Sequence, residues 1–270
     1  MTAIRWGLIG AGWIATKAIA PAMHSAPNAI VQAVVSRDSK RSQSLNPITI
    51  HNSYEALIND PMVDAVYISL PNHLHYEWTV KALNAGKHVL CEKPFAMNVA
   101  EVESMVQAAR DNNRILAEAV SSMWHPRMAR LIEYVKNGSL GELISIDSSF
   151  TFPGEIEGNY RNSPDMGGGA LYDVGVYSLH ANAALNSEKA TVIIESCDKK
   201  MGPSGIDLTS KWQMRFDGAI TATGLASFEA PENQSLIVNG MKQSIEFVGD
   251  QAFTSWHSPS RLQFGENFED

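Results

Sequence analysis

The chain has 270 residues, of which 44% are hydrophobic and 19% charged, and 29 acidic against 21 basic residues give it a formal net charge of −8. That balance argues against broad nucleic-acid binding, which needs clustered positive charge to displace counterions, and no apolar run is long enough to span a bilayer. Cys91 and Cys197 are its two cysteines; they indicate neither a disulfide framework nor a thiol-rich metal site, so a reducing cytoplasm is the expected location and no metal is expected.

The first predicted elements lie in Ile4 to Ala15, where an apolar run breaks at Gly10-Ala11-Gly12-Trp13-Ile14-Ala15 and continues as an amphipathic segment to Ser25. This reads as strand, tight turn and helix. Gly10 suits the turn, Gly12 lets backbone approach a pyrophosphate, and Ala15 lets the helix pack on the strand, so Gly10, Gly12, Trp13 and Ile14 are candidate nucleotide contacts. Competing readings are a tight loop with a small packing residue and a secretory signal ahead of Ala18-Ile19-Ala20.

Ile30 to Ser36 follows as a β-branched strand. At its end an acidic residue holds the ribose of NAD, whereas an Arg accommodates the 2′-phosphate of NADP. Ser36, Arg37 and Arg41 favour NADP; Asp38 dissents, and an ordinary charged turn is the alternative. Thr49 to His51 reads as a short strand, Ser53 as the cap of a helix over Tyr54 to Asn59, and Asp64 to Leu70 as a buried strand.

Pro71-Asn72-His73-Leu74-His75 then leaves that strand at its carboxyl end, where open α/β sheets bind ligands, so Leu70, Pro71, Asn72 and His75 join the candidate cofactor contacts. His73 to Asn84 reads as a helix stopped by Gly86, and His88 to Cys91 as a strand running into Glu92-Lys93-Pro94, with Glu92 and Lys93 at the cofactor side. Asn98 and Glu101 cap a helix over Val99 to Asn112, and Arg114 to Glu118 is the sixth strand. The alternation predicts a doubly wound parallel sheet over residues 1–120.

From residue 121 to 270 the pattern is that of an α+β domain with a large, mostly antiparallel sheet. Pro126 opens a helix that ends at Asn137-Gly138, and Glu142 to Phe152 is a long strand. Gly167-Gly168-Gly169 precedes a helix over Ala170 to Leu185, and strands run in series from Thr191, with Asp217-Gly218 and Asn239-Gly240 as hairpin turns. The alternating Ile144, Ile146, Phe150 and Phe152, in a sheet with few helices to cover it, predict a homodimer through that face.

Lys93, beyond a strand's carboxyl end, is placed to reach a nicotinamide ring. Asp173 and Tyr177, four apart, fall on one face of the helix after the glycines. An ammonium beside a Tyr stabilises the phenolate, so Lys93 and Tyr177 make an acid/base pair for a substrate hydroxyl. Each residue alone also suits a solvated turn, a core aromatic or an orienting carboxylate. His73 and His75 lack a third ligand for a metal; His180, one turn past Tyr177, is a second acid/base candidate.

Taken together, GLIGAGWIA, SRDSKR, SLPNHLH, CEKPF and GGGALYDVGVY, in that order, resemble the glucose-fructose oxidoreductase, inositol dehydrogenase and MocA family of NAD(P)-dependent oxidoreductases over nearly the whole chain. The resemblance implies a Rossmann domain followed by a domain on an open-faced β-sheet. It also implies that Lys93 is the lysine of the Glu-Lys-Pro motif and Asp173 the aspartate of Asp-x-Gly-x-(His/Tyr). With Tyr177 in the last position and Ser36, Arg37 and Arg41 after the second strand, the motifs are most similar to dimeric dihydrodiol dehydrogenases and NADP-dependent aldose 1-dehydrogenases. The implied activity is hydride transfer between NADP(H) and a carbinol carbon of a sugar or cyclic diol; a non-catalytic NADP-binding sensor is the alternative. Family members carry a longer helix where this chain has Asp38 to Asn46, and continue into a C-terminal helix where this sequence ends at Phe268-Glu269-Asp270.

Overall fold

Ile4–Ile9 forms β1, whose last residues Gly7 to Ile9 are buried. In the computed structural model, which describes residues 2–154, 157–248, 252–254, 261–265 and 267–269, it leads through the glycine turn into a helix that starts as a π-helical turn over Ala15–Ile19 and becomes regular as α1 over Ala20–Ser25. Pro21 explains the change of pitch. It has no N–H to continue the ladder and its ring crowds the carbonyl four residues back, and the wider turn ahead of it relieves both.

The first unit, Met1–Ala119, continues with β2 (Ala29–Val35), α2 (Ser39–Ser44), β3 (Thr49–Ile50), α3 (Tyr54–Ile58), β4 (Ala65–Ile68), α4 (His75–Asn84), β5 (His88–Glu92), α5 (Val99–Asp111) and β6 (Leu116–Ala119). Caps read from the sequence are in place: the Ser53 side chain accepts from the Ala56 N–H at 3.1 Å, and Asn98 Oδ1 from the Glu101 N–H at 3.0 Å. The strands pair in parallel in the order β3-β2-β1-β4-β5-β6, so chain order reverses between β1 and β4 and opens a crevice at their carboxyl ends. All four residues of β4 are buried, as central parallel strands covered on both faces must be.

The second unit, Val120–Asp270, contains α6 (Pro126–Lys136), β7 (Leu143–Thr151), a π-helical turn over Leu171–Gly175 that runs into α7 (Val176–Leu185), and then β8 (Val192–Met201), β9 (Asp207–Phe216), β10 (Ile220–Ser227), β11 (Asn233–Gly240), β12 (Ser244–Val248), β13 (Arg261–Phe264) and β14 (Asn267–Glu269). The sheet order is β14-β13-β12-β11-β7-β10-β9-β8; β7 and β10 are parallel and the other described pairs antiparallel. β8 is the edge strand beside β9, with every residue exposed.

Two expectations are corrected here. The apolar face of β7 is not the open one: Ile146 and Phe150 are buried in a core shared with Met128 and Leu131 of α6 and Tyr177 and Ala181 of α7. The opposite face is polar and bonded to itself, with Thr223 Oγ1 donating to Asp147 Oδ1 at 2.6 Å, Asn239 Nδ2 to Ser145 Oγ at 2.9 Å, and Ser149 and Ser235 hydroxyls 2.8 Å apart. Asp217-Gly218 does make the β9–β10 turn, both residues having positive φ, but Asn239-Gly240 belongs to β11. The Asn239 side chain is tied to β7, and a Cβ at Gly240 would sit 2.3 Å from the Leu140 carbonyl oxygen, so the chain turns two residues later, where the Gly240 N–H donates to the Gln243 carbonyl.

Candidate active site

The glycine turn after β1 is held from the side. The Gly10 N–H donates to the Val35 carbonyl and the Ser69 N–H to the Ile9 carbonyl, both at 2.9 Å, which locks the turn between the ends of β2 and β4. Gly10 has φ +99°, and a Cβ there would lie 2.6 Å from the Ser69 carbonyl oxygen; a Cβ at Gly12 would meet nothing within 4 Å. The two glycines therefore differ in kind. Gly10 is demanded by the fold, whereas the clear side of Gly12 suits close approach of a ligand such as a pyrophosphate. Ala15 is fully buried, Trp13 is 66% exposed, and Ile14 is half-buried.

At the end of β2, Asp38 is the N-cap of α2: its Oδ1 accepts from the Lys40 N–H at 2.9 Å and the Arg41 N–H at 3.2 Å, and its Oδ2 lies 3.5 Å from Arg41 Nε. Ser36 Oγ donates to the Asp38 carbonyl at 2.7 Å and meets Ser42 Oγ at 2.9 Å. The dissenting carboxylate is thus committed to starting a helix, and Arg37 and Arg41 are left on the exposed surface of this turn. That charge pattern fits a 2′-phosphate better than a bare ribose.

Beyond β4, Leu70 and Pro71 are half-buried, and Asn72 is buried in the 3₁₀ turn Asn72–Leu74 that precedes α4. His75 is buried, with Nδ1 2.8 Å from the Pro94 carbonyl and Nε2 2.8 Å from the Leu70 carbonyl. The ring thus spans the loops that follow β4 and β5, and both its nitrogens are engaged by protein. Burial holds its pKa below the ordinary value, with the two carbonyls and Glu118 opposing and Lys93 assisting. Beyond β5, burial pushes the Glu92 carboxyl up, against the 2.6 Å bond it accepts from the fully buried Tyr67 hydroxyl and the charge of Lys93. Lys93 follows, joined to Pro94 by a cis peptide bond. The structure therefore brings Leu70, His75, Glu92 and Lys93 to one end of the parallel sheet.

In the second unit the glycine run is packed against the segment before it. The Gly168 N–H donates to the Ser163 carbonyl at 2.9 Å and the Gly169 N–H to the Arg161 carbonyl at 3.0 Å; a Cβ at Gly168 would lie 2.3 Å from that Arg161 oxygen. Buried Asp207 then starts the helix, accepting from the Leu171 N–H at 2.8 Å and the Ser210 hydroxyl at 2.6 Å. Asp173 lies in the π-helical turn and Tyr177 is the second residue of α7; both are buried. The Tyr177 ring lies 5.4 Å from Phe150 and 5.8 Å from Phe253. Asp173 Oδ2 accepts from Arg161 Nε at 2.7 Å, and His180 is half-buried further along α7.

Arg161 is the residue that sequence reading missed. Its guanidinium carbon lies 4.9 Å from the Tyr160 ring centroid; burial works against its charge, but Asp173 above all, with Tyr160 and Tyr177, outweighs burial and raises its pKa. No periodic signal marks it. It precedes the glycine run in an irregular loop, and only the close packing of glycines on its carbonyl brings it to a carboxylate twelve residues on.

Within the second unit, a Tyr four residues from an ion-paired Asp has the chemistry to exchange a proton with a hydroxyl. Two models of one family account for most of the chain: residues 4–120 match the oxidoreductase family with an NAD-binding Rossmann fold, and residues 128–252 match the GFO/IDH/MocA C-terminal domain. The chain is 33% identical over 235 residues to D-xylose 1-dehydrogenase (NADP(+)) 2 of Haloferax volcanii, covering 85% of this chain and 71% of that protein. It is 31% identical over 248 residues to trans-1,2-dihydrobenzene-1,2-diol dehydrogenase of Mus musculus, covering 89% and 73%. In three dimensions it superimposes with a TM-score of 0.89, at 27% identity, on a 3-ketoreductase from Actinomadura kijaniata in complex with NADP and TDP-benzene, covering 99% of this chain and 83% of that one. With its strand order, its glycine turn and its Glu-Lys-Pro and Asp-x-Gly-x-Tyr segments in place, the chain belongs to the Gfo/Idh/MocA family of oxidoreductases.

Proposed function

We propose that this protein is an NADP(H)-dependent oxidoreductase acting on a carbinol or carbonyl carbon of a sugar or cyclic diol, with residues 1–120 binding the cofactor and residues 121–270 the substrate. The observation that carries the cofactor choice is Asp38: capping α2 occupies the carboxylate that would favour NAD, with Arg37 exposed beside it and Arg41 3.5 Å from its Oδ2 as the cations for a 2′-phosphate. The likeness to an NADP-dependent xylose dehydrogenase and a diol dehydrogenase supports the substrate class. Gly10, Gly12, Trp13, Ile14, Ser36, Arg37 and Arg41 would hold the phosphates and ribose, and Leu70, Pro71, Asn72, His75, Glu92 and Lys93 the nicotinamide side. Bound NADP(H) supplies the hydride acceptor or donor.

In this reading Tyr177 exchanges the proton of the substrate hydroxyl, Lys93 holds the substrate oxygen and favours the phenolate, and Asp173 keeps the pair positioned. The test is NADP reduction and NADPH oxidation across aldoses, dicarbonyls and cyclic diols. Tyr177→Phe and Lys93→Met should each lower kcat at least about a hundredfold with NADPH binding retained, and the double variant should be little worse than the more damaging single one. A protein that binds NADPH and turns over nothing in the panel would instead be a sensor.

The same reading places the protein in the cytoplasm, where unpaired Cys91 and Cys197 stay reduced. It also makes the protein a homodimer through the polar face of the sheet, the face opposite α6 and α7. Thr223→Lys should then dissociate a dimer seen by light scattering; a monomer at micromolar concentration removes the assembly claim. Ile146 is no probe of this face, since a charge there would break the core.

A further inference from the structure

Asp173 and Tyr177 stand four residues apart at the start of one helix, and both are buried. A carboxylate so close to a phenol opposes its ionisation, because two negative charges then share a poorly solvated region. An acid/base tyrosine beside a bare carboxylate would be held in its neutral form. The groups that face this region settle how the conflict is met. Arg161 Nε donates to Asp173 Oδ2 at 2.7 Å, and the charges acting on its guanidinium are Asp173, Tyr160 and Tyr177. From β7 the Phe150 ring lies 5.4 Å from the Tyr177 ring, and the Phe253 ring lies 5.8 Å from it. Asp207, at the start of the same helical segment, is taken up by the Leu171 N–H and Ser210.

Arg161 is also fixed from behind. Its carbonyl accepts the Gly169 N–H at 3.0 Å, and its side chain lies over the Tyr160 ring at 4.9 Å, a contact that suits a planar guanidinium. Backbone and side chain are thus set by different neighbours, which leaves the fork aimed at Asp173.

We propose that Arg161 is a positioning residue of the reaction, which by neutralising Asp173 allows Tyr177 to carry negative charge when it receives the substrate hydroxyl proton. The inference rests on Tyr177 as the acid/base. The step balances: in alcohol oxidation the hydroxyl proton passes to the Tyr177 phenolate, and Arg161 and Asp173 stay ionised throughout.

The test follows tyrosinate absorbance against pH in the wild type, R161Q, R161K, D173N and R161Q/D173N, each with its Y177F counterpart subtracted so that Tyr177 alone is read. R161Q should move the Tyr177 ionisation up by about one unit or more, equivalent to a tenfold loss of phenolate at a fixed pH below the limb. R161K, which keeps a charge but not the fork, should move it less. R161Q/D173N should be displaced from D173N by less than R161Q is from the wild type, since without the carboxylate only the direct field of Arg161 on Tyr177 is left to lose. An unmoved ionisation in R161Q overturns the proposal, as does a double variant displaced from D173N as far as R161Q is from the wild type. Should R161Q fail to fold, R161K supplies the reference: an ionisation unmoved in R161K, or a displacement of R161Q/D173N from D173N larger than that of R161K from the wild type, overturns the proposal. Full turnover in Y177F would remove the acid/base reading of Tyr177 while the absorbance series continued to judge the ion pair.

Discussion

Arg37 is exposed at the end of β2, and the carboxylate beside it, Asp38, is engaged by the backbone of α2 and by Arg41. Charge-assisted bonds to a 2′-phosphate are absent with NAD, and Arg37→Ala should weaken NADP binding about tenfold or more and NAD binding little, as a titration of each dinucleotide would show. Equal losses for both would remove the assignment. The Tyr67 hydroxyl on Glu92 Oε1 offers a second measurement at this scale. Burial raises the Glu92 pKa, so its contribution to stability is complete below the ordinary Glu value and is lost as pH rises through the folded value. Tyr67→Phe removes a bond that, with the charge and the backbone N–H of Lys93, favours the ionised form. It should cost about 1–3 kcal/mol near neutral pH and less in acid, read from denaturant unfolding at two pH values. Lys93, Asp173 and Tyr177 could be named as candidates because short motifs carry them; Arg161 could not, because its partner is reached through an irregular loop and no spacing rule connects them.

Among the elements, the alternation of strands with helices and the caps followed from β-branched runs and from Ser and Asn placed ahead of helices, which are local signals. The faces of the second sheet did not. Alternation at a period of two says that β7 has two unlike faces, but which one α6 and α7 cover depends on the path of the chain between them. The π-helical turns ahead of α1 and α7 were equally silent, since apolar spacing over so few residues suits either pitch. The glycines divide by their surroundings in a way a melting curve can show. Gly168→Ala should lose about 3 kcal/mol, because its Cβ meets the Arg161 carbonyl, and Gly12→Ala should melt like the wild type yet bind the dinucleotide poorly. If Gly12→Ala were the less stable of the two, the clear side of that turn would have been misjudged.

At the scale of the molecule, a parallel sheet at the N-terminal end and a mostly antiparallel one after it were visible as a change of rhythm near residue 120, from strands alternating with helices to strands in series. The β8 edge of the second sheet carries a consequence for the protein's life in concentrated solution. β8 presents Val192, Ile193 and Ile194 to solvent, each at least half exposed, beside one unpaired row of backbone donors and acceptors, which is a template on which another chain can polymerise. Its pairing with β9 slips between Ile194 and Ser196 and again between Lys200 and Met201, and Lys199 and Lys200 stand between those irregularities. Broken register and like charge are what keep one such edge from adding to the next. Lys199→Val with Lys200→Val should therefore leave folding nearly unchanged and shorten the lag before thioflavin-positive fibrils form on mild heating; an unaltered lag would show that the edge is guarded by something else.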